Sequence, residues 1–482
     1  MLHWGQAATN EVMREAEMDM TEREVPGTRR WLATVALLLL PAIVAVLLPL
    51  SPGQTPAAAG GPCPRWPAEE WCTSTPQAQG MDPARLQEMM AYVDAHDIEI
   101  DSIVVVRHGA IVFEEYGPDY GPDVPHHLQS ATKSFSAMLV GIAIHQGLLD
   151  GVDERVVDIF ERYTIDNVDP RKERMTLEHL LTMSDGFDWH ELDYAYDDPR
   201  NTLGQMWRSH DAVQHVLDRP MAREPGASWA YDSGTSILLG GVIEEVSGQS
   251  PPDFAQAYLF DPLGIRPPYW QRATGGHYHT DGGLYLTPRD MARFGYLMLH
   301  DGTWDGQEIV PAGWVARSTT AHYPASGGYG YGYQWWTLPG GLGYAARGHY
   351  EQVIYVLPGA DMVVVVTGSI PDDSFYRADG LLYRFILPAC TDLPEGDRTG
   401  TFAGYGFSFD YPRGFARHEA PLPGREALSA EGGIIQVQST WFPLELMSIV
   451  WGQTEPGVDA SVYLDQVLAS MFQSSGLEIA LG

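Results

Sequence analysis

Lysine is nearly absent from this chain. Among 482 residues only Lys133 and Lys172 occur, and Lys and Arg together number 29 against 63 Asp and Glu, a net charge of -34. A nucleic-acid binder must neutralise phosphates with cationic side chains, so this balance argues against DNA and RNA partners. It favours solubility and says little about fold. Cysteine is scarce as well. Cys63 and Cys72 bracket PRWPAEEW, a spacing wrong for a zinc knuckle and without a second pair. Outside the cytoplasm these two can close a small disulfide, and Cys390 is then left unpaired or takes one of the other two. Sequence repeats and long low-complexity tracts are missing.

What is present divides the chain unevenly. Residues 1–30 form a polar leader ending in Arg29 and Arg30. Trp31 to Leu50 follows without a charge, and about twenty apolar residues at 1.5 Å each just span a bilayer. The long polar leader and the twenty-residue run favour an uncleaved membrane anchor, and the arginines on its N-terminal side place the rest of the chain outside the cytoplasm. A signal segment cleaved near AAAG, in the spacer 51–65, places it there too. The main domain is expected at 66–390, a linker at 391–403 and a small α+β unit without evident chemistry at 404–482.

The main domain reads as strand at both ends and helix between. IDSIVVVRHGAIVFEEY is a hairpin turning at His108-Gly109, and QVIYVLPGADMVVVVTGS is another turning at Pro358-Gly359. TPRDMARFGYLML carries Thr287 as N-cap and Pro288 at the first helical position. The expected fold is α/β (α+β): one antiparallel sheet closed from both termini, flanking helices and a helical lobe.

The chemistry centres on Ser130. The run SFSAMLVGIAI is apolar nearly all round, which predicts a buried helix with Ser130 at its start. Lys133 lies one turn on, within reach of the hydroxyl. Serine needs an adjacent base, and a lysine serves when burial lowers its pKa. An N-cap serine beside a solvated lysine is the bland alternative. Tyr231-Asp232-Ser233 precedes the helical TSILLGGVIEEV, with Ser233 a plausible cap and Tyr231 a phenol able to pass a proton. His349-Tyr350-Glu351-Gln352 stands before a core strand, whose N–H groups could donate to an oxyanion. His277 and His279 flank Tyr278 without a third ligand at metal spacing and read as loop. Tyr329, Tyr331, Trp335 and Trp336 read as core and cleft wall.

The order Ser-x-x-Lys, Tyr-x-Ser and a His-containing triplet before a strand resembles the serine β-lactamase and penicillin-binding-protein superfamily. HHLQSATKS, LEHLLTMSDGFDW, EPGASWAYDSG and DGGLYLTPRDMARFGYLML are similar to its class C-related serine hydrolases, the branch of EstB-type esterases and 6-aminohexanoate-dimer hydrolases. The resemblance implies Ser130 as nucleophile, Lys133 as base, Tyr231 as proton relay, and Ser233, His349, Tyr350, Glu351 and Gln352 around substrate and oxyanion. It also implies a loop over the cleft near Tyr194 and Tyr196. It implies neither metal nor organic cofactor. The third motif commonly ends in Gly, and Glu351 stands there instead. A negative charge at that place predicts neutral or cationic substrates, short esters and linear amides, over β-lactams. A D,D-peptidase or β-lactamase, and an inactive cell-wall or partner-binding protein, are the rival readings. The oligomeric state is left open.

Overall fold

The β-rich ends of the main domain meet in one eight-stranded antiparallel sheet. Its strands are β1 (Ile100–Arg107), β2 (Ala110–Tyr116), β3 (Tyr323–Pro324), β4 (Gly330–Tyr331), β5 (Trp336–Thr337), β6 (Tyr344–Gly348), β7 (Gln352–Leu357) and β8 (Met362–Gly368). Their order is β2-β1-β8-β7-β6-β5-β4-β3, so β1 from one end of the domain pairs with β8 from the other. This is a computed structural model; it describes residues 63–452 apart from 64–65, 68–69, 326–327, 370–376, 405–406, 413–415, 421–431 and 439–445.

Both hairpins lie where the sequence puts them. His108 and Gly109 take positive φ of 50° and 79°, as a tight hairpin turn demands. In β1, β7 and β8 both faces are covered, which explains why they read as continuous apolar runs rather than alternating ones. Val104, Val106, Ile354, Val363 and Val365 join one core cluster, and Ile103, Val105, Val353, Val364 and Val366 join the other. The second cluster includes Leu86, Met89 and Val93 of α1 (Pro83–Ala95) and the apolar residues of the helical segment 377–389.

The first cluster joins its face of the sheet to the helical lobe. It is built on α2 (Thr132–His145), α3 (Ser233–Ser247) and α4 (Pro288–Leu299). Every residue of α2 from Thr132 to Ala143 is buried, as its all-round apolar sequence requires. Gly141 lets the Trp314 ring lie directly on the α2 backbone, where any Cβ would collide with it. Thr287 caps α4 by accepting from the Asp290 N–H at 3.1 Å, with Pro288 next in line.

Cys63 and Cys72 form the expected disulfide, and Cys390 is a buried free thiol. Beyond the main domain, Phe407–Pro412, Gly432–Gln438 and Leu446–Gly452 are strands. Residues 453–482 of the expected α+β unit lie outside the described residues, as does Trp31–Leu50. Among the described residues no helix is long and apolar enough to cross a membrane.

Candidate active site

Ser130 occupies a 3-10 turn, Gln129–Ala131, that runs straight into α2. Gln129 holds a φ of 49°, a left-handed conformation that typically costs a non-glycine residue about 1–2 kcal/mol. Side-chain bonds hold it there: Gln129 Nε2 lies 2.9 Å from His127 Nδ1, and His127 Nε2 lies 2.6 Å from the Gly282 carbonyl. The turn leaves Ser130 only half buried, so its hydroxyl is reachable.

Lys133 is interior, 2% exposed. Its Nζ lies 3.1 Å from Ser130 Oγ and donates to the Asp281 carbonyl at 2.6 Å. Burial pushes the ammonium below the usual lysine range, while the Asp281, Glu191 and Asp232 carboxylates push back. Lys172 is interior too, donating to the Asp166 and Leu217 carbonyls at 2.9 and 2.6 Å. Both lysines of this chain are therefore inside, where a flexible ammonium reaches specific acceptors.

Tyr231 lies in the loop leading into α3. Its ring stacks on Trp336 with centroids 6.2 Å apart, and Lys133 Nζ sits 5.2 Å from its centroid. The phenol shares a hydrogen bond with Ser130, and burial together with the Glu191 carboxylate raises it above the ordinary tyrosine range. A raised phenol stays protonated and can donate; a lowered ammonium gives up its proton more readily. The two environments separate an acid from a base.

Two expectations for this loop change. The cap of α3 is Asp232, whose Oδ1 accepts from the Gly234 and Thr235 N–H groups at 2.7 and 3.2 Å. Ser233 does not line a substrate surface. It is 1% exposed, and its Oγ and N–H donate to Oε1 and Oε2 of Glu191 at 2.7 and 2.8 Å. Glu191 also accepts from Trp189 Nε1 at 3.0 Å and is itself 4% exposed. Glu191 is not legible from the sequence, because it lies 42 residues from Ser233 in a polar loop. A carboxylate directly after an aromatic pair was the one available signal.

The third motif also differs from expectation. Glu351 is 4% exposed, and its carboxylate accepts from the Arg377 and Ala378 N–H groups at 3.1 and 2.9 Å. Burial pushes this carboxyl up to about 7, and it is turned into the protein body and not presented to substrate. Gln352 is buried, with Nε2 donating to the Tyr350 carbonyl at 3.0 Å and the Gly368 carbonyl at 2.5 Å. His349 and Tyr350 are half buried, their rings edge to face at 4.3 Å. Just before them, any Cβ on Gly348 would run into the Leu128 carbonyl and crowd the Ala131 N–H, so only glycine lets β6 lie against the Ser130 turn.

The loop tyrosines part company. Tyr196 faces His349, ring centroids 6.3 Å apart, and also meets Trp207 at 5.9 Å. Tyr194 instead lies under the Arg200 guanidinium at 4.1 Å. His279, read as ordinary loop, belongs to the wall beside Lys133: its Nδ1 is 3.0 Å from Asp281 Oδ1, and Trp207 meets its ring edge on. His277 is held between Glu244 at 2.6 Å and Asp211 at 3.4 Å. Tyr329, Tyr331 and Trp335 are core, and Trp336 is cleft wall, as expected.

A partly exposed hydroxyl bound to a desolvated amine, with a neutral phenol beside it, is the arrangement that acyl transfer to serine requires. Residues 84–386 match the family model Beta-lactamase. The chain belongs to the beta-lactamase family. The relatives of this beta-lactamase-family protein include the 6-aminohexanoate-dimer hydrolase of Paenarthrobacter ureafaciens, 24% identical over 60% of this chain and 77% of that protein. Esterase EstB of Burkholderia gladioli is 28% identical over 34% of this chain and 45% of its own length. Among solved structures, EstCE1, a hydrolase with promiscuous acyltransferase activity, superposes with a TM-score of 0.52 at 16% identity, covering 66% of this chain and 99% of that one. The fold is thus that of the beta-lactamases and penicillin-binding proteins, and relatives that hydrolyse esters and amides make this chain a serine hydrolase.

Proposed function

We propose that the protein is an extracytoplasmic hydrolase of esters or linear amides that works through an acyl-enzyme on Ser130. The observation that carries this reading is Lys133 Nζ, desolvated and 3.1 Å from Ser130 Oγ. Lys133, neutral at the moment of attack, takes the hydroxyl proton as Oγ bonds to the substrate carbonyl carbon. Backbone N–H groups of the Ser130 turn and of the 349–352 edge receive the oxyanion. Tyr231 donates its phenolic proton to the leaving alcohol or amine as that bond breaks, and recovers one from Ser130 by way of Lys133. Water then attacks the ester by the reverse route, and Oγ regains a proton. The aromatic surface of Tyr196, Trp207 and His349 borders the entrance and suits an apolar substrate portion.

The location outside the cytoplasm is supported by the Cys63–Cys72 disulfide and by the uncharged run Trp31 to Leu50. Anchoring by that run and secretion after cleavage are both compatible with it.

Burial of Glu351 removes the electrostatic objection to β-lactams that the sequence suggests. The preference for esters and linear amides then rests on the named activities of the relatives and on the lack of a cation offered by the third motif: the nearby Arg347 is paired with Asp379 at 2.9 Å. The test is kcat/KM for p-nitrophenyl butyrate against nitrocefin on one preparation of residues 60–482. The ester is expected to be the better substrate, and a higher value for nitrocefin would move the protein to the β-lactamase reading. Failure of the chain to turn over any ester, amide, D-amino-acid peptide or β-lactam would favour the binding-protein reading.

A further inference from the structure

Tyr350 and Glu351 are consecutive non-glycine residues with φ of 58° and 63°. Left-handed backbone typically costs such residues about 1–2 kcal/mol each, so two in series persist only where surrounding contacts determine them. Those contacts converge on one helical segment. Before the turn, Arg347 Nη1 donates to Asp379 Oδ1 at 2.9 Å and Oδ2 at 3.1 Å. After it, the Glu351 carboxylate takes the N–H groups of Arg377 and Ala378. Asp379 is completely buried and also accepts from Tyr355 of β7 at 2.6 Å and from Tyr329. The third motif is therefore gripped on both sides by residues 377–379, and Gly348, between the two grips, presses on the Leu128–Ala131 turn that carries Ser130.

We propose that Glu351 is a positioning residue whose two hydrogen bonds to Arg377 and Ala378 hold the left-handed Tyr350–Glu351 turn and thereby aim the backbone edge that receives the oxyanion. The proposal rests on the acyl-enzyme reading above. Glu351 acts through the backbone and touches no substrate. Losing it changes where an N–H points while leaving the entrance and the Ser130–Lys133 pair in place. The effect belongs in kcat, because an oxyanion donor binds the transition state far better than the ground state.

The experiment compares wild type, Glu351→Ala and Glu351→Gln in kcat and KM for p-nitrophenyl butyrate and in the rate of Ser130 labelling by a fluorophosphonate, with Tm measured for each. Loss of an oxyanion donor costs about 10²–10³ in kcat. Partial misalignment in Glu351→Ala is expected to lower kcat roughly 10- to 100-fold, with KM changed less than about 3-fold and labelling slowed in parallel. Glu351→Gln keeps one acceptor and is expected to recover part of the loss. A folded Glu351→Ala with wild-type kcat overturns the proposal, as does a rise in KM alone. If Glu351→Ala does not fold, Glu351→Gln decides: a fall in kcat at constant KM supports the proposal, and an unchanged kcat overturns it. Failure of the acyl-enzyme reading itself is seen separately, as turnover that survives Ser130→Ala.

Discussion

Replacing Ser233 by alanine separates a brace from a substrate contact. In the Tyr-x-Ser motif the serine is expected to meet substrate, yet here its hydroxyl is buried and donates to Glu191 Oε1 at 2.7 Å. Ser233→Ala removes that donor and leaves Oε2 with the Ser233 and Trp189 N–H groups. A hydrogen bond to a charged group typically contributes about 1.5–3 kcal/mol, and the carboxylate left behind is buried. With an unfolding entropy of about 2.1 cal/mol/K per residue over a domain of about 300 residues, the loss lowers Tm by about 2–5 °C. Glu191 keeps two of its three partners, so kcat is expected to fall less than about 10-fold and KM to stay within about 2-fold. The assays are a thermal melt and steady-state kinetics on an ester. An unchanged Tm with KM raised 10-fold would show that Ser233 meets substrate, and the brace would be wrong.

Tyr231→Phe keeps the ring on Trp336 and removes only the hydroxyl, so Tm should hold while kcat falls by about 10²–10⁴, the usual worth of a positioned proton donor. Retention of more than a tenth of wild-type kcat would assign the proton relay elsewhere. Lys172 gives a pH signature in stability. Burial pushes its ammonium down to about 8 from an ordinary value near 10.5, so between those pH values the unfolded chain binds more protons and stability rises with pH. The stability difference between wild type and Lys172→Met, from urea melts, should therefore shift toward wild type by at most about 1.4 kcal/mol per pH unit from pH 8 to 10. A flat difference would mean that Lys172 is not perturbed by its burial.

The parts of this molecule that the sequence makes legible are local or strongly periodic. The two hairpins announce themselves by β-branched runs and turn residues. Ser130 and Lys133 are neighbours because one helical turn makes them so. What stays hidden is long-range. Glu191 meets Ser233 across 42 residues, and nothing near either predicts the other. The destination of the Glu351 side chain depends on residues 377 and 378, brought to it by packing across the sheet. A glutamate at a motif position suggests charge in the cleft, but in the folded chain buried N–H groups take its carboxylate. The loop 190–196 shows the same limit: its tyrosines were legible as candidates, yet only the folded chain sends Tyr196 to His349 and Tyr194 to Arg200.

In the proposed reaction Ser130 Oγ is the acylated atom and Lys133 removes its proton. The most direct measurement is mass spectrometry with peptide mapping after timed exposure to a fluorophosphonate, for wild type, Ser130→Ala and Lys133→Arg. Arginine keeps the charge and cannot give up its proton at working pH. One adduct is expected on Ser130 in wild type, none in Ser130→Ala, and labelling slowed by about two orders of magnitude or more in Lys133→Arg. An adduct on another serine, or labelling of Lys133→Arg at the wild-type rate, would contradict the proposed reaction.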